Sequence, residues 1–295
     1  MTQETWTIAR VLNWTRGYFE QLGIPSPRLD AELILSHALL VGRMQLYLEH
    51  HKPLTTQERE QIRACVKRRA RGEPIAYITG KKGFWDIELN VDERVLVPRP
   101  ETEGIIERAL ELYAADQSIR FIDVGCGSGC IGLALAKALP KAHGVGIDMS
   151  DAALEVARLN AQQLSLDNIN FHHGDLLDGL DDIVHLIVSN PPYIPSGVIP
   201  TLMKDVKNFE PWLALDGGAD GLTAYRSLIP QSLDRLLPGG HLILEIGHDQ
   251  RMAVEALLAE TNGFDLIQHF TDLSGKDRIC LARKKPEDNE SVEAD

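Results

Sequence analysis

Arg120-Phe121-Ile122-Asp123-Val124-Gly125-Cys126-Gly127-Ser128-Gly129 is the stretch that decides the fold. Phe121, Ile122 and Val124 form a short apolar run of the length and composition of a buried strand. It passes directly into three glycines at alternate positions, and the pattern from Ile131 to Leu139 is helical. A strand that enters a helix through a glycine turn opens a strand–helix–strand unit.

The same alternation continues toward the C-terminus. Candidate strands are Arg120–Val124, Gly144–Asp148, Ile169–His172, Ile183–Ser189, His241–Ile246, Phe264–Phe270 and Arg278–Arg283. Helices are predicted at Ile131–Leu139, Ala152–Leu164, Leu222–Leu236 and Arg251–Glu260. Strands alternating with helices predict an α/β domain, a seven-stranded, mainly parallel sheet of Rossmann-like type covered on both faces.

Toward the N-terminus, Pro100 opens a helix with Glu101 and Glu103 in its positive first turn and Ile105, Ile106, Ala109, Leu110 and Leu112 as its apolar stripe. From Gly83 to Pro98 the period becomes two, with Phe84 to Leu89 and Val95 to Val97 on either side of Asp92-Glu93, which predicts a β-hairpin. Ahead of it the spacing is helical again. Ile8, Val11, Leu12, Tyr18, Phe19 and Leu22 form one stripe; Leu29, Leu33 and Leu40, with Ile34, Ala38 and Val41 beside them, form another. A short helix follows from Met44 to Glu49, and a longer one from the cap Thr56 to Arg71, stopped by Gly72 and Pro74. The expected organisation is a helical domain over 1–80, a hairpin linker over 81–98, an α/β domain over 99–284 and a charged, disordered tail over 285–295.

Composition narrows the classes. Hydrophobic residues make up 44% and charged residues 25% of the 295, the profile of a globular protein. No apolar run approaches the roughly 18 residues of a membrane span, and Met1 to Arg10 lacks a signal layout, so a cytoplasmic location without membrane contact is expected. Cys65, Cys126, Cys130 and Cys280 include no C-x-x-C pair, which predicts reduced thiols and no metal knuckle. Residues 1–97 hold 14 Lys and Arg against 12 Asp and Glu, and residues 98–295 hold 16 against 31. A domain at −15 is a poor surface for a phosphate backbone, so direct nucleic-acid binding is not expected. The basic run Lys67-Arg68-Arg69-Ala70-Arg71 fits either a solvated helix end or a docking patch.

The glycine turn carries the first chemistry. Bare backbone at Gly125, Cys126, Gly127, Ser128 and Gly129, backed by Asp123 and followed by a helix N-terminus, is a cradle for a cofactor. Gly127 to Gly132 also fits the dinucleotide letters G-x-G-x-x-G, but that match begins late relative to the strand end, which favours a methyl donor. Asp148 ends the second strand 19 residues after Gly129, where a carboxylate can accept both hydroxyls of a ribose. Asp175, with Leu176 next to it, follows the third strand and is positioned to read the amine of an adenine, although a turn aspartate also fits.

The most specific signal is Ser189-Asn190-Pro191-Pro192-Tyr193-Ile194 at the end of the fourth strand. Two prolines remove two backbone donors and stiffen the chain, leaving the Asn190 and Pro191 carbonyls as fixed acceptors. With Asn190 Oδ1 they can hold the hydrogens of a planar NH2 group, and the Tyr193 ring can pack on its π-system. An amide nitrogen is a poor nucleophile, so its orientation toward a methyl group is the main catalytic task. Neither a metal nor a dedicated general base is required. The residues themselves specify only a planar NH2 group.

Arg71-Gly72-Glu73-Pro74-Ile75-Ala76-Tyr77-Ile78-Thr79-Gly80, Pro98-Arg99-Pro100-Glu101-Thr102-Glu103, Asn190-Pro191-Pro192-Tyr193 and Phe209-Glu210-Pro211 together resemble the HemK/PrmC family, the peptide chain release factor N5-glutamine methyltransferases. The resemblance spans nearly the whole chain. It implies a class I S-adenosylmethionine-dependent fold and methylation of the glutamine in the Gly-Gly-Gln motif of bacterial class 1 release factors. It further implies a helical N-terminal domain that recognises the protein substrate, and a monomer is expected. By motif, Gly125 to Gly129 and Asp148 would hold the donor, Asn190 to Tyr193 the glutamine, and Pro98 to Thr102, including Arg99 and Thr102, would line the donor pocket. Leu176 departs from the aromatic residue expected beside the adenine. Three other readings remain at this level: a methyltransferase of a ribosomal-protein glutamine, an adenine-N6 DNA or RNA methyltransferase, and a non-catalytic module of the same fold.

Overall fold

The computed structural model describes residues 5–287. They fall into two compact units, residues 5–81 with 203–209 and residues 82–202 with 210–287. The tail predicted to be disordered, 285–295, lies outside the described residues from 288 onward.

In the first unit, helices Ile8–Gln21, Pro27–Leu39, Arg43–Leu48, Thr56–Ala70 and Ile75–Thr79 close around Phe19, Ile34, Leu35, Leu46 and Ile62. Each such buried side chain contributes about 1.5–3 kcal/mol. The long helix is capped one residue ahead of the predicted cap Thr56, at Thr55. The Thr55 hydroxyl accepts from Glu58 N at 3.2 Å, and Glu58 Oε2 accepts from Thr55 N at 2.7 Å, a reciprocal box that satisfies two orphan donors.

Helix Pro27–Leu39 buries Ile34, and the predicted adjoining residues Ala38 and Val41 pack on the same core, but two leucines of the predicted stripe face out. Leu29 and Leu40 are exposed, whereas Asp30, Ala31, Glu32, Ile34 and Leu35 are buried. The two acids turn inward because each has cationic partners. Arg69 Nε donates to Asp30 Oδ2 at 2.7 Å, and Glu32 accepts from Arg28 Nε at 2.8 Å, from Arg43 Nε at 3.0 Å and from the Tyr47 hydroxyl. The basic run therefore has internal uses: Arg69 neutralises Asp30, and Arg68 Nε donates to Glu73 Oε2 at 2.8 Å.

β1 (Lys81–Phe84) and β2 (Ile87–Asn90) form the hairpin, which turns at Trp85-Asp86 rather than at Asp92-Glu93. Trp85 takes the left-handed φ of +52° that the tight turn needs. Val95 and Val97 belong to no strand. Their apolar alternation reflects burial, while Asp92 Oδ1 accepts from Arg94 N at 3.1 Å and the Val97 N–H goes to Glu210 Oε2 at 3.3 Å instead of to a ladder.

The second unit holds the predicted seven-stranded sheet. Its strands are β3 (Arg120–Val124), β4 (His143–Asp148), β5 (Ile169–His173), β6 (Val184–Ser189), β7 (Leu236–Glu245), β8 (Phe264–Thr271) and β9 (Asp277–Lys284), in the order β5-β4-β3-β6-β7-β9-β8. β9 alone runs antiparallel to its neighbours. Helices Cys130–Ala138, Asp151–Leu164, Thr223–Arg235 and Arg251–Glu260 lie within one residue of their predicted ends. β7 begins at Leu236, ahead of the predicted His241, because Pro238-Gly239-Gly240 are carried through a register shift opposite Val184 and Leu186.

Strand order reverses on the two sides of β3, the point at which open α/β sheets bind ligands beyond their carboxyl ends. Opening there side by side are the loop after β3, Asp148 on β4, Asn190 after β6 and Glu245 on β7. Among the described residues no helix is long and apolar enough to cross a membrane, and all four cysteines are free thiols.

Candidate active site

The turn after β3 needs three left-handed residues in five: φ is +68° at Gly125, +54° at Gly127 and +80° at Gly129. Any other L residue costs about 1–2 kcal/mol in that conformation. A Cβ on Gly125 or Gly127 would meet nothing within 4 Å, whereas one on Gly129 would press on Leu133 at 2.9 Å. The first two glycines thus face open space and the third permits helix packing. Cys126 N donates to the Ile147 carbonyl and Gly129 N to the Cys126 carbonyl, both at 2.8 Å, which ties the loop to β4.

Asp148 is the hinge between loop and cavity. Its Oδ2 accepts from Gly127 N at 2.8 Å and its Oδ1 from Ser150 N at 2.9 Å. Ser150 in turn caps the next helix, accepting from Ala153 N at 3.2 Å, so the cap does not consume Asp148. Burial raises the Asp148 carboxyl above its usual range, against the two backbone donors that hold it down. Each oxygen keeps further acceptor capacity for a hydroxyl.

A cavity of about 420 Å³ opens over this loop. Gly125, Gly127, Asp148, Asp175, Leu176, Asn190 and Pro192 lie in its wall, with Ile147, Met149 and Leu213 as apolar surfaces. Leu176 stands at a left-handed φ of +53°. Its loop is pinned from helix Thr223–Arg235, where Gln231 Oε1 accepts from Leu177 N at 3.1 Å and Gln231 Nε2 donates to Asp178 Oδ1 at 3.2 Å.

Other predicted donor-site residues are not in the cavity wall. Asp123 is fully buried; its Oδ2 accepts from Gly132 N at 2.8 Å and its Oδ1 has no hydrogen bond among the described residues. Burial, with the nearby Asp148 charge, pushes this carboxyl up to about 7. Cys126 and Ser128 are buried, and the Ser128 carbonyl accepts from Asn160 Nδ2 at 3.0 Å. Arg99 Nη2 donates to Glu210 Oε1 at 2.6 Å. Thr102 is buried and meets Asn190.

At the acceptor motif, Asn190 Nδ2 donates to Thr102 Oγ1 at 3.1 Å, and Thr102 Oγ1 donates to Glu245 Oε2 at 2.5 Å. Tyr193 OH donates to Glu245 Oε1 at 3.1 Å. Asn190 Oδ1 is left on the free side of its amide. Among the described residues no hydrogen bond reaches the Pro191 carbonyl. Tyr193 is not in the cavity wall, because its ring packs on the core of the sheet and its hydroxyl points to Glu245. Its own carbonyl accepts from Gln250 Nε2 at 2.9 Å, and the Ile194 amide donates to the Leu215 carbonyl at 3.1 Å. The whole motif is therefore fixed from behind.

The PrmC N-terminal domain family matches residues 10–80, and a methyltransferase domain family matches residues 115–244. A release factor glutamine methyltransferase of Caulobacter vibrioides is 43% identical over 284 residues, covering 95% of this chain and 98% of that protein. The chain belongs to the release factor glutamine methyltransferase family. A second member, from Geobacter sulfurreducens, is 42% identical over 95% of this chain and 98% of its own length. The crystal structure of the hMettl16 catalytic domain with an RNA hairpin of the MAT2A 3′UTR covers 78% of this chain and 82% of its own at a TM-score of 0.55 and 19% identity, a likeness of fold.

As in its family, the methyl donor of this glutamine methyltransferase is S-adenosylmethionine. The cavity suits it. Open backbone at Gly125 and Gly127, a carboxylate with spare acceptors at Asp148 and apolar surfaces at Ile147, Met149, Leu176 and Leu213 match a charged amino acid end, a ribose and a flat base. Among the described residues no cluster of His, Cys, Asp and Glu could hold a metal ion.

Glu245, Gln231 and Gln250 were missing from the sequence reading of this methyltransferase. Only Glu245 left a signal, as the lone carboxylate closing the apolar run Leu242-Ile243-Leu244. Ser189 pairs with Leu244 in the β6–β7 register, so the next residues on each strand, Asn190 and Glu245, emerge together.

Proposed function

We propose that this chain transfers the methyl group of S-adenosylmethionine to N5, the side-chain amide nitrogen, of the glutamine in the Gly-Gly-Gln motif of bacterial class 1 peptide chain release factors. The supporting observation is the placement of Asn190 in the wall of the donor cavity, with its Nδ2 engaged by Thr102 and its Oδ1 free to accept. S-adenosylmethionine, when bound, supplies an electrophilic methyl group on a sulfonium centre. Gly125, Gly127, Asp148 and Asp175 would hold it.

The chain's own contribution is orientation. Asn190 Oδ1 and the Pro191 carbonyl accept the two hydrogens of the glutamine NH2, which turns the nitrogen face toward the methyl group. Such pre-positioning in a dry site is worth about 7–11 kcal/mol of barrier. The nitrogen becomes acidic only on methylation, so its proton leaves to water afterwards and no base needs to remove it first. Pro191 and Pro192 stiffen the loop so that little ordering remains at the moment of reaction.

Residues 5–81 serve in this reading as the recognition unit for the release factor, and a cytoplasmic location follows from a substrate used in translation. The acidic balance of residues 98–295 disfavours a nucleic acid in its place. Labelled-donor transfer tests the reading with a release factor, a ribosomal-protein mixture and DNA or RNA offered in parallel. Label in the release factor supports it, and label confined to either competitor overturns it.

A further inference from the structure

A carboxamide is nearly symmetric in shape and opposite in hydrogen bonding at its two ends. If Asn190 presented its NH2 to the substrate, it would oppose the NH2 of the target, and binding would fail. Something must choose the orientation. Among the described residues Asn190 makes one side-chain hydrogen bond that can do so, to Thr102 Oγ1 at 3.1 Å. A hydroxyl can both donate and accept, so Thr102 alone decides nothing.

The choice is made one step further back. An ionised carboxylate only accepts, and Glu245 Oε2 lies 2.5 Å from Thr102 Oγ1. The hydroxyl proton is therefore committed to Glu245, the Thr102 oxygen has only lone pairs to offer Asn190, and the amide must turn its Nδ2 inward. The other oxygen of the same carboxylate, Oε1, takes the Tyr193 hydroxyl at 3.1 Å. Glu245 is 1% exposed; burial raises its carboxyl above the usual range, and the Thr102 and Tyr193 hydroxyls with the nearby Arg278 charge favour the anion against that burial. Arg278 stands beside it, its Nη1 donating to the Ile246 carbonyl at 3.4 Å and its Nη2 paired with Asp272 Oδ2 at 3.3 Å.

We propose that Glu245 is the positioning residue of the acceptor site: through Thr102 it sets which end of the Asn190 amide faces the glutamine, and through Tyr193 it clamps the loop. The inference rests on the glutamine reading proposed above. It assigns Thr102 to the acceptor side of the reaction, separate from the donor pocket.

A double-mutant cycle with release factor as substrate tests it. Kinetics and donor binding by calorimetry are measured for Thr102→Val, Thr102→Ser, Glu245→Gln, Asn190→Ala and the pairs with Asn190→Ala. Thr102→Val is expected to lower kcat by about 10- to 100-fold while the donor Kd changes by less than about twofold. Thr102→Ser, which restores the hydroxyl, is expected to bring kcat back to within about threefold of the starting protein. Since Thr102 acts through Asn190, adding Thr102→Val to Asn190→Ala should cost less than about twofold more. Losses that multiply in the double variant, or a Thr102→Ser protein as slow as Thr102→Val, overturn the inference. Should Thr102→Val fail to fold, Glu245→Gln, which keeps shape and polarity, decides by the same cycle. An unsubstituted protein that leaves the release factor unmodified overturns the proposed function and this inference together; turnover with multiplicative losses overturns the inference alone.

Discussion

Asn190 Nδ2 and Thr102 Oγ1 meet at 3.1 Å across 88 positions of sequence. The contact joins the start of the helix after the hairpin to the loop after β6 and, among the described residues, leaves Asn190 Oδ1 without a hydrogen bond in a side chain that lines the cavity. Asn190→Ala removes one preorganised acceptor and is expected to slow methyl transfer by about 10²–10³-fold. Donor affinity measured by calorimetry should stay nearly constant, because Gly125, Gly127 and Asp148 are untouched.

The donor side responds to the glycine turn. Gly127 combines a φ of +54° with open space where a Cβ would project. Gly127→Ala strains the turn by about 1–2 kcal/mol and places a methyl group toward the donor. Titration should show a donor Kd raised by at least about tenfold, and a Kd within twofold of the starting value would mean that the loop does not face the ligand.

Donor binding should also depend on pH. Burial pushes the Asp123 carboxyl up to about 7, with the Asp148 charge adding to the effect. Below that pH Asp123 is mostly neutral, and above it mostly anionic. A sulfonium ligand favours the anion, so affinity should rise as pH increases from 6 to 8, by about three- to tenfold. Asp123→Asn should flatten the profile in calorimetric titrations at pH 6, 7 and 8.

Stability of the helical unit rests partly on Asp30 and Arg69, paired at 2.7 Å with both side chains buried. Asp30→Ala strands a buried guanidinium and is expected to cost about 3–5 kcal/mol, read as a lower denaturant midpoint. Replacing both partners by apolar residues of similar size should recover most of the loss.

The sheet was legible because its signals are local: an apolar strand, a glycine turn and a helix stripe follow one another within each unit from Arg120 on. The cavity wall was legible for the same reason, since Gly125 and Gly127 follow β3, Asp148 closes β4 and Asp175 lies two residues past β5. Glu245 lies 55 positions beyond Asn190 and meets its motif only through the parallel β6–β7 pairing. Asp123, Arg99 and Thr102 carry motif positions, yet they support the site from outside the cavity wall, and residue type alone cannot separate support from contact. The inward turn of Asp30 and Glu32 on Pro27–Leu39 was hidden because their partners Arg69, Arg43 and Tyr47 come from other helices. Hairpin alternation at Val95 and Val97 came from burial without a ladder.

Methyl transfer to the release-factor glutamine is tested most directly by tryptic mass spectrometry of a purified release factor incubated with this protein and S-adenosylmethionine. The mass of one added methyl group is expected on the peptide that contains Gly-Gly-Gln, located by fragmentation on the glutamine side chain and absent when the donor is omitted. An unmodified glutamine, with the methyl group found instead on another residue, on a ribosomal protein or on nucleic acid, would contradict it.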